Sequence, residues 1–542
     1  MAEQAESRQH APPAVRAGVP PVIEPVATAV TAFVGRTLRG PLNRPLRVDS
    51  FGDFQRQFGG LWQPSMLAYA VAQFFENGGQ SALIVRVANG ARAPTVTLPG
   101  PGGALRLRGV NPGTREFLRA AVDYDGIPPG DDAHFNLVVQ RLQQAGTEQI
   151  EDQETFRRIA VRGECERPLA EVLASSRLVR LEGPPPGQRP DATASFERGP
   201  AAGYVAAAAD GDDGGEIGDY DVIGSADHFT GVAALLACET HFGLLCLPPL
   251  ARDRDVGIAS WMVAARVCRQ RQALLVVDPP RSWDNADGAL RALHDWPFHS
   301  TDACLFFPRI ALHDRLRGRS EVFAPCGAVA GMMAATDARA PLWSAANASQ
   351  GLVRAPAQLA AAVSDSQGER LAAFGVNTLR TVRAAAGTGE PRTLVPELAV
   401  RNGLQLLTVR RLAHCAVASI LRGTRWALLE PAGALLWQRL RAQVEAFLET
   451  FAQHGALVGD RAEDSYFVIC DERLNGASGE LRVLFGFAAV RPAEFLAYLV
   501  THRAGGSSVR AVSVNRVATH RRQDEAAIAA ALLQEPLPGL PP

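Results

Sequence analysis

The pattern of apolar and polar positions near the start of this 542-residue chain predicts a strand, a helix and a second strand. Residues 26–34 form an apolar run that predicts a buried strand. Residues 66–77 repeat apolar side chains at helical spacing and end in a glycine-rich cap. The run "SALIVRVAN" predicts the second strand. This order favours a layered α/β unit.

The pattern changes over residues 91–218, where proline and glycine become frequent. Segments such as "ALRLRGV" and "HFNLVVQRL" alternate apolar and polar residues, which predicts a mostly β insert. The α/β pattern returns at residue 219, with a helix at "ASWMVAARVCRQR" and strands at "FGLLCLPP", "ALLVVDPP" and "ACLFFPRI". Short, continuous apolar runs of this kind predict a sheet that is covered on both faces.

The last third of the chain opens with a predicted strand and helix at "GLQLLTVRRLAHCAVASILRG", followed by a short apolar segment. The strongest helix signal lies at 435–454. Its apolar positions form one stripe: Leu436, Leu440, Val444, Phe447, Leu448 and Phe451. Three predicted strands follow, and "SSVRAVSVN" predicts one further, detachable strand.

Together these patterns predict a multidomain fold of mixed α/β and α+β class. The predicted parts are a flexible N-terminal arm at 1–21, a layered α/β core domain at 22–90 plus 219–400, a mostly β insert at 91–218, a C-terminal α+β domain at 401–520, and a tail at 521–542.

Composition narrows the possible functions. The net charge of −1 gives no electrostatic reason to expect nucleic acid or an anionic membrane as a partner. The chain has no lysine, so all 55 basic residues are arginine, which excludes enzymes that need a phosphate-loop or Schiff-base lysine. Eight cysteines without a C-x-x-C pair indicate a reducing compartment. We found no signal peptide or membrane span in the sequence, so we expect a cytoplasmic origin.

Several segments come close to a chemical motif without completing it. Gly35 and Gly40 have the spacing of a phosphate loop, but Pro41 and Leu42 follow, so we predict a turn that ends a strand. Asp278, at the end of "LLVVDPP", resembles a magnesium-binding aspartate but has no lysine loop as its partner.

Other near misses concern metals and nucleophiles. The possible calcium ligands are Asp210, Asp212 and Asp221, with glycine at the fifth loop position. The possible zinc ligands are His294, His299 and Asp302, which lack zinc-site spacing. Ser478 misses the nucleophile-elbow pattern by one position. His414 and Cys415 lie in a predicted helix whose apolar composition indicates that it is buried. We therefore predict no catalytic, cofactor or metal site.

A series of segments, in order, resembles contractile tail sheath proteins of myophages, R-type tailocins and extracellular contractile injection systems. The first are "VATAVTAFVGRTLRGPLNRPLRVDSFGDFQRQFGG" and "LAYAVAQFFENGGQSALIVRVAN". The middle ones are "CRQRQALLVVDPP", "APCGAVAGMMAATDARAPLWSAAN" and "FGVNTLR". The last are "LLTVRRLAHCAVASILRGTRWALLEP" and "LWQRLRAQVEAFLETFAQHGALVG". The resemblance covers about 22–90 and 219–500, whereas the insert resembles only the injection-system branch.

The resemblance implies a structural subunit that forms hexameric rings stacked helically around an inner tube. Such a sheath contracts on a baseplate signal and drives the tube through a target envelope. The implied partners are other copies of the chain, the inner tube protein, and baseplate and tail terminator or cap proteins. No nucleic acid and no membrane insertion are implied, and the chain would pass from the cytoplasm of the producing bacterium into the assembled particle.

The resemblance also implies which residues make contacts. Terminal arms at about 18–27 and 508–515 would add strands to neighbouring subunits through main-chain hydrogen bonds; their candidate residues are Val19, Val22, Val26, Val509, Val512 and Val514. Three prolines in the N-terminal arm lack ladder donors, which weakens the prediction for that arm. The 435–454 helix would face the tube through Arg439, Arg441 and Glu445.

Two alternatives stay open from the sequence. One is an α/β hydrolase or ATPase-like enzyme with degenerate motifs, which would depend on Asp278. The other is a baseplate or cap accessory protein that has the sheath fold but does not polymerise.

Overall fold

The computed structural model describes most of the chain; the described ranges are 22–144, 146–161, 167–193, 203–344, 357–381, 390–397, 403–476 and 480–512. These residues form two compact units. We call Val26–Cys415 the core unit, and the described parts of Met1–Pro25 and Ala416–Pro542 the terminal unit. Both predicted tails lie outside the described residues, as do Val19, Ser478 and Val514.

The first elements of the core unit match the predicted order of strand, helix and strand. They are β1 (Thr31–Gly35), β2 (Leu46–Val48), α1 (Phe51–Phe58), α2 (Met66–Glu76) and β3 (Ala82–Arg86). Ser65 caps α2 by accepting a hydrogen bond from the backbone N–H of Ala68. Strand β1 starts later than the predicted 26–34, because residues 26–30 are partly buried without pairing in the sheet.

The insert folds as two antiparallel sheets around one core. Its elements are β4 (Thr95–Leu98), β5 (Leu105–Gly109), β6 (Phe117–Asp123), β7 (His134–Leu142), β8 (Ile150–Ala160), α3 (Leu169–Ala174), β9 (Val179–Leu181) and β10 (Val205–Ala206). The strand orders are β4-β5-β9 and β10-β6-β7-β8. Alternate residues of both sheets, such as Leu107 and Leu137, share one hydrophobic cluster, which accounts for the period-two pattern of the sequence.

The rest of the core unit returns to α/β structure. Its elements are α4 (Asp219–Ile223), a 3-10 helix (Gly231–Leu236), β11 (Leu244–Cys246), α5 (Ile258–Arg271), β12 (Leu274–Val277), α6 (Ala286–Leu293), β13 (Ala303–Phe307), β14 (Ile310–Asp314), β15 (Arg319–Phe323), α7 (Cys326–Asp337), β16 (Gln358–Leu359), α8 (Asp365–Ala373) and β17 (Val376–Thr378).

A seven-stranded sheet organises the core unit, in the order β17-β13-β12-β11-β1-β3-β2. All neighbours are parallel except β2, which is antiparallel to β3. Successive residues of β1 enter different hydrophobic clusters: Ala32 and Val34 pack with α5 and α6, and Phe33 packs with α1, α2 and α7. Both faces of the sheet are therefore covered, which explains why its strands read as continuous apolar runs.

Helices α2 and α7 pack unusually closely, because glycine faces the α2 backbone at two positions one turn apart. A Cβ atom on Gly327 would lie 2.0 Å from the Ala70 carbonyl oxygen, and one on Gly331 would lie 2.4 Å from that of Phe74. No larger residue fits at either position without displacing the helix backbone.

Helix α9 (Leu407–Gly423) includes the division between the units. The terminal unit continues with a 3-10 helix (Arg425–Leu429), α10 (Ala434–Gln453), α11 (Ala462–Ser465), β18 (Tyr466–Ile469), α12 (Glu472–Asn475), β19 (Leu481–Ala488), β20 (Phe495–Arg503) and β21 (Gly506–Val512). All six predicted apolar residues of α10 are buried. The strand predicted ahead of α9 is wrong, because residues 403–406 form a turn with a single bridge from Leu406 to Arg392.

The four terminal strands form an antiparallel sheet in the order β18-β19-β20-β21. Its hydrophobic cluster includes Ile469, Leu484 and Leu499 from three of the strands. None of the helices in the described ranges has both the length and the apolar composition needed to cross a lipid bilayer.

Candidate assembly interface

The glycine-spaced loop after β1 is held by a buried arginine. Arg86 is 1% exposed and donates from Nη1 to the carbonyl oxygens of Gly40 (2.6 Å) and Pro112 (2.7 Å). Burial lowers the pKa of Arg86 to about 10, partly offset by nearby carboxylates. Gly40 has φ +104, and a Cβ there would lie 2.7 Å from the Phe58 ring. The loop thus fixes the end of β1 against α1, as an architectural turn would.

The remaining candidate carboxylates each bind a nearby backbone N–H. Asp278 accepts from Cys326 at 2.7 Å, at the start of α7. In the acidic segment, Asp210 accepts from Thr95, Asp212 from Gly214 and Asp221 from Gly218. In the described ranges, no group of three or more acidic, histidine or cysteine side chains is arranged to hold a metal ion.

Asp302 lies in an ion cluster inside the core unit. Its carboxylate accepts from Arg269 (Nε, 3.0 Å) and Arg410 (Nε, 3.0 Å), and lies 3.1 Å from Nε2 of His414. Burial alone would raise the pKa of Asp302, but the His414 hydrogen bond and the Arg410 charge outweigh it and hold that pKa well below its usual range. Burial and the Arg410 charge lower the pKa of His414 to about 4. The cluster joins α9 to the sheet and presents no nucleophile.

The predicted N-terminal arm is not a strand where the structure describes it. Val22 is exposed and Val26 is buried, and neither pairs with a strand. Ile23, between them, is buried within the terminal unit, where it contacts Gly423: a Cβ on that glycine would lie 2.8 Å from the Ile23 side chain.

The predicted C-terminal arm is a strand, and it pairs within its own chain. Val509 and Val512 belong to β21, which pairs with β20 from Ala497↔Val512 to Arg503↔Gly506. Only Ala504 and Gly505 connect the two strands. The outer side of β21 pairs with no strand in the described residues.

The two-residue loop fixes which N–H groups of β21 point outward. In such a hairpin the pair that flanks the loop is hydrogen-bonded, and hydrogen-bonded and non-hydrogen-bonded pairs then alternate. The backbone N–H groups of Gly506, Ser508, Arg510 and Val512 therefore point toward β20, given the register of this hairpin. Those of Ser507, Val509 and Ala511 point to the free edge. This edge can accept a further antiparallel or parallel strand.

The charged residues predicted on α10 form ion pairs with other residues of the terminal unit. Arg439 forms an ion pair with Glu430 and lies over the Trp426 ring at 4.9 Å. Arg441 and Glu445 pair with each other at 2.8 Å, with side chains 44% and 37% exposed. Three leucines near the start of α10 are exposed, which their sequence pattern does not reveal; the two most exposed are Leu429, at 90%, and Leu435, at 67%.

No protein-family model and no curated protein sequence matches the chain. Its structure is similar to that of the sheath tail protein Lin1278 from Listeria innocua, with 12% sequence identity and a TM-score of 0.56. The match covers 89% of this chain and 96% of that one. The chain has the tail sheath fold.

Two further structures match the sheath fold over most of their length. The sheath tail protein DSY3957 from Desulfitobacterium hafniense has 12% identity and a TM-score of 0.48, with 89% of this chain and 98% of that one covered. The sheath of an extracellular contractile injection system, the PVC sheath complex in its contracted state, has 16% identity and a TM-score of 0.47, with 91% and 97% covered. TM-scores this low add no weight to the assignment.

Proposed function

We propose that the chain is a structural subunit of a contractile sheath, which polymerises as stacked hexameric rings around an inner tube and drives that tube through a target envelope. The observation that carries this proposal is the fold shared over 89% of the chain with nearly the whole length of a solved sheath tail protein. The partners would be other copies of the chain, the tube protein, and baseplate and cap proteins. The subunit would be made in the bacterial cytoplasm.

The hydrogen-bond partners of the candidate catalytic groups support a structural role rather than an enzymatic one. Asp278 binds the N–H of Cys326, and Asp302 binds Arg269, Arg410 and His414. Their hydrogen bonds are made within the fold, and the Cys326 thiol beside Asp278 is buried, which raises its pKa well above the usual value.

The domain roles follow the same proposal. The α/β core at 22–90 plus 219–400 would form the sheath wall, the insert at 91–218 would lie on its outside, and 401–520 would line the tube. The seven-stranded sheet with both faces covered supports a rigid wall element. The free edge of β21 supports a connecting role for the C-terminal part.

The connection between subunits would be made by strand exchange at β21. Strand β21 would leave β20 of its own chain and pair with β20 of a neighbour, or its free edge would accept a neighbour's arm. Main-chain hydrogen bonds would hold the mesh together while the rigid units rotate during contraction.

A disulfide can report which chain supplies β21. Val500 and Val509 form a non-hydrogen-bonded pair by the alternation above, which places their side chains close together. After oxidation of a Val500→Cys/Val509→Cys variant, exchange should give covalent ladders of many chains in assembled particles and single chains in the dilute subunit. Each single-cysteine variant is the control, because the native cysteines that the structure describes form no disulfide and are mostly buried. Single chains in assembled particles would rule out β21 exchange.

The tube-facing surface would lie around the start of α10. The two most exposed leucines there, Leu429 and Leu435, would be covered by the tube, and Arg441 and Glu445 would flank them. Burying two leucine side chains is worth about 3–6 kcal/mol, whereas an exposed ion pair contributes less than about 1 kcal/mol. Leu429→Asp should therefore weaken tube binding more than Arg441→Ala does.

Electron microscopy of the chain expressed with its tube protein tests the function itself. The proposal expects tubes wrapped by a helical sheath. Sedimentation across a range of concentrations separates a polymer-forming subunit from an accessory protein with the same fold. A species that stays monomeric at every concentration, with the tube protein present, would contradict the sheath proposal.

A further inference from the structure

We propose that Asp278 is a buried proton-binding site of the core unit, whose carboxyl group holds its proton more tightly than the carboxyl group of an exposed aspartate does. This inference is independent of the proposed sheath function, because it concerns the core unit of a single chain. It gives a role to the "LLVVDPP" motif that neither catalysis nor metal binding explains.

The two oxygens of Asp278 have different environments. The side chain follows β12 and is 6% exposed. Its Oδ1 accepts from the Cys326 N–H at 2.7 Å, at the N-terminus of the twelve-residue helix α7. Its Oδ2 is buried and accepts a hydrogen bond from no described residue. A carboxylate would have the Cys326 backbone N–H at Oδ1 and the weakly donating Cys326 thiol beside it, whereas a protonated carboxyl group does not need a donor at Oδ2.

Asp278 lines a cavity of about 10 Å³, together with Leu247, Pro249, Asp255, Val256 and Trp261. This volume is close to the space that one water molecule occupies. The walls are mostly apolar, with Asp255 as the other charged residue in the described lining of this small space. The site is therefore built to hold a neutral acid rather than a solvated anion.

Two charged groups face Asp278 from the packed elements. Arg309, after β13, donates from Nε to the carbonyl oxygen of Pro279 (3.0 Å) and pairs with Asp255. Asp255, before α5, is a carboxylate that repels a second negative charge. The thiol of Cys326 stays neutral, because burial raises its pKa well above the usual value. The one nearby cation is thus already paired with another carboxylate.

Two effects oppose each other at this position. The N-terminus of α7 favours a negative charge. Burial without a second donor favours the neutral acid, and it is the larger effect. Burial first, and the charge of Asp255 in addition, raise the pKa of Asp278 to about 6, against the Cys326 hydrogen bond and the Arg309 charge.

The raised pKa predicts a definite direction of pH dependence. Between about pH 4 and 6 the folded chain holds a proton on Asp278 that the unfolded chain has lost. This contribution to stability is present below about pH 4, decreases as the pH rises to 6, and is absent above. A shift of about two units corresponds to about a hundred-fold change in the folding equilibrium constant.

The test compares urea unfolding of the full chain with that of Asp278→Asn between pH 4.5 and 8. Asparagine keeps the acceptor for the Cys326 N–H and cannot ionise. The ratio of folding constants, variant over wild type, should rise about 25-fold across this range, with a midpoint near pH 6. Asp284→Asn, at an exposed carboxyl group a few residues away, is the matched control variant.

A ratio that is constant with pH, or that falls as the pH rises, would overturn the proposal. A falling ratio is the result expected if the α7 N-terminus stabilised the carboxylate. If Asp278→Asn does not fold, Asp278→Ser supplies a smaller neutral acceptor. The fluorescence of Trp261, in the wall of the cavity, gives a second measurement: its emission should change near pH 6 in the folded wild type but not in the folded variant.

Discussion

The two outer strands of the core sheet, β2 and β17, have three residues each, whereas β21 at the edge of the terminal sheet has seven. The core sheet is covered on both faces by hydrophobic clusters. Short edge strands give an incoming strand little to pair with, and a long edge gives it a template. The core sheet thus gives an added strand little to pair with, whereas the terminal sheet has an edge long enough for the proposed strand addition.

The largest effect on the stability of the core unit is expected from a change in its Asp302 ion cluster. Asp302→Ala leaves Arg410 buried without its carboxylate, since the Arg410 side chain is 8% exposed. We expect the free energy of unfolding to fall by about 3–5 kcal/mol. Urea unfolding measures this change. A loss below about 1 kcal/mol would show that the core unit is less rigid than we infer.

The next effect is the acid sensitivity of the same cluster. The pKa of His414 is lowered to about 4 in the folded chain. Between pH 6.5 and 4, His414 therefore binds a proton in the unfolded chain but not in the folded chain. Stability from this group is complete above pH 6.5 and is lost as the pH falls to 4, by about 3 kcal/mol. His414→Gln should remove that loss. Equal pH profiles for the variant and wild type would contradict the assignment.

A matched pair of proline variants tests the terminal sheet. Ser508→Pro removes an N–H that points toward β20, so we expect it to unpair β21, at a cost of about 1–3 kcal/mol, and to abolish assembly. Val509→Pro removes an N–H at the free edge, so the hairpin should persist. Hydrogen exchange of β20 amides and electron microscopy give the two readouts. Normal assembly of Val509→Pro would mean that no strand adds to the outer edge.

The smallest effect is expected on α10. Arg441→Ala removes an exposed pair with Glu445 and should change the free energy of unfolding by less than about 0.5 kcal/mol. Arg439→Ala is the internal comparison, because Arg439 is 19% exposed and also contacts Trp426. Thermal unfolding should therefore show the larger loss for Arg439→Ala. The reverse order would contradict the packing of this helix.

Elements with one dominant signal were predictable from the sequence. The α10 stripe from Leu436 to Phe451 fixed the buried face of that helix, and the apolar runs of β3 and β12 marked strands of a covered sheet. The alternating segments of the insert predicted its strands, and the structure adds that they form two antiparallel sheets. In each case the pattern and the final environment follow from the same local periodicity.

Features that depend on distant partners were not predictable. Arg439 looked available on α10, but Glu430 lies outside that helix and binds it. The apolar run at residues 403–406 looked like a strand, but it has a single bridge to Arg392. The unpaired oxygen of Asp278 depends on three segments that meet only in the fold.

The register of β20 and β21 has one thermodynamic consequence. A neighbour's β21 would form the same seven rungs as the chain's own β21, so opening one hairpin and closing another is nearly thermoneutral. The effective concentration of the neighbour's β21 near β20 then determines which of the two pairings is populated. Under the proposed exchange, a dilute subunit would keep its hairpin closed, and a subunit held against its neighbours would replace it by a neighbour's strand at almost no enthalpic cost.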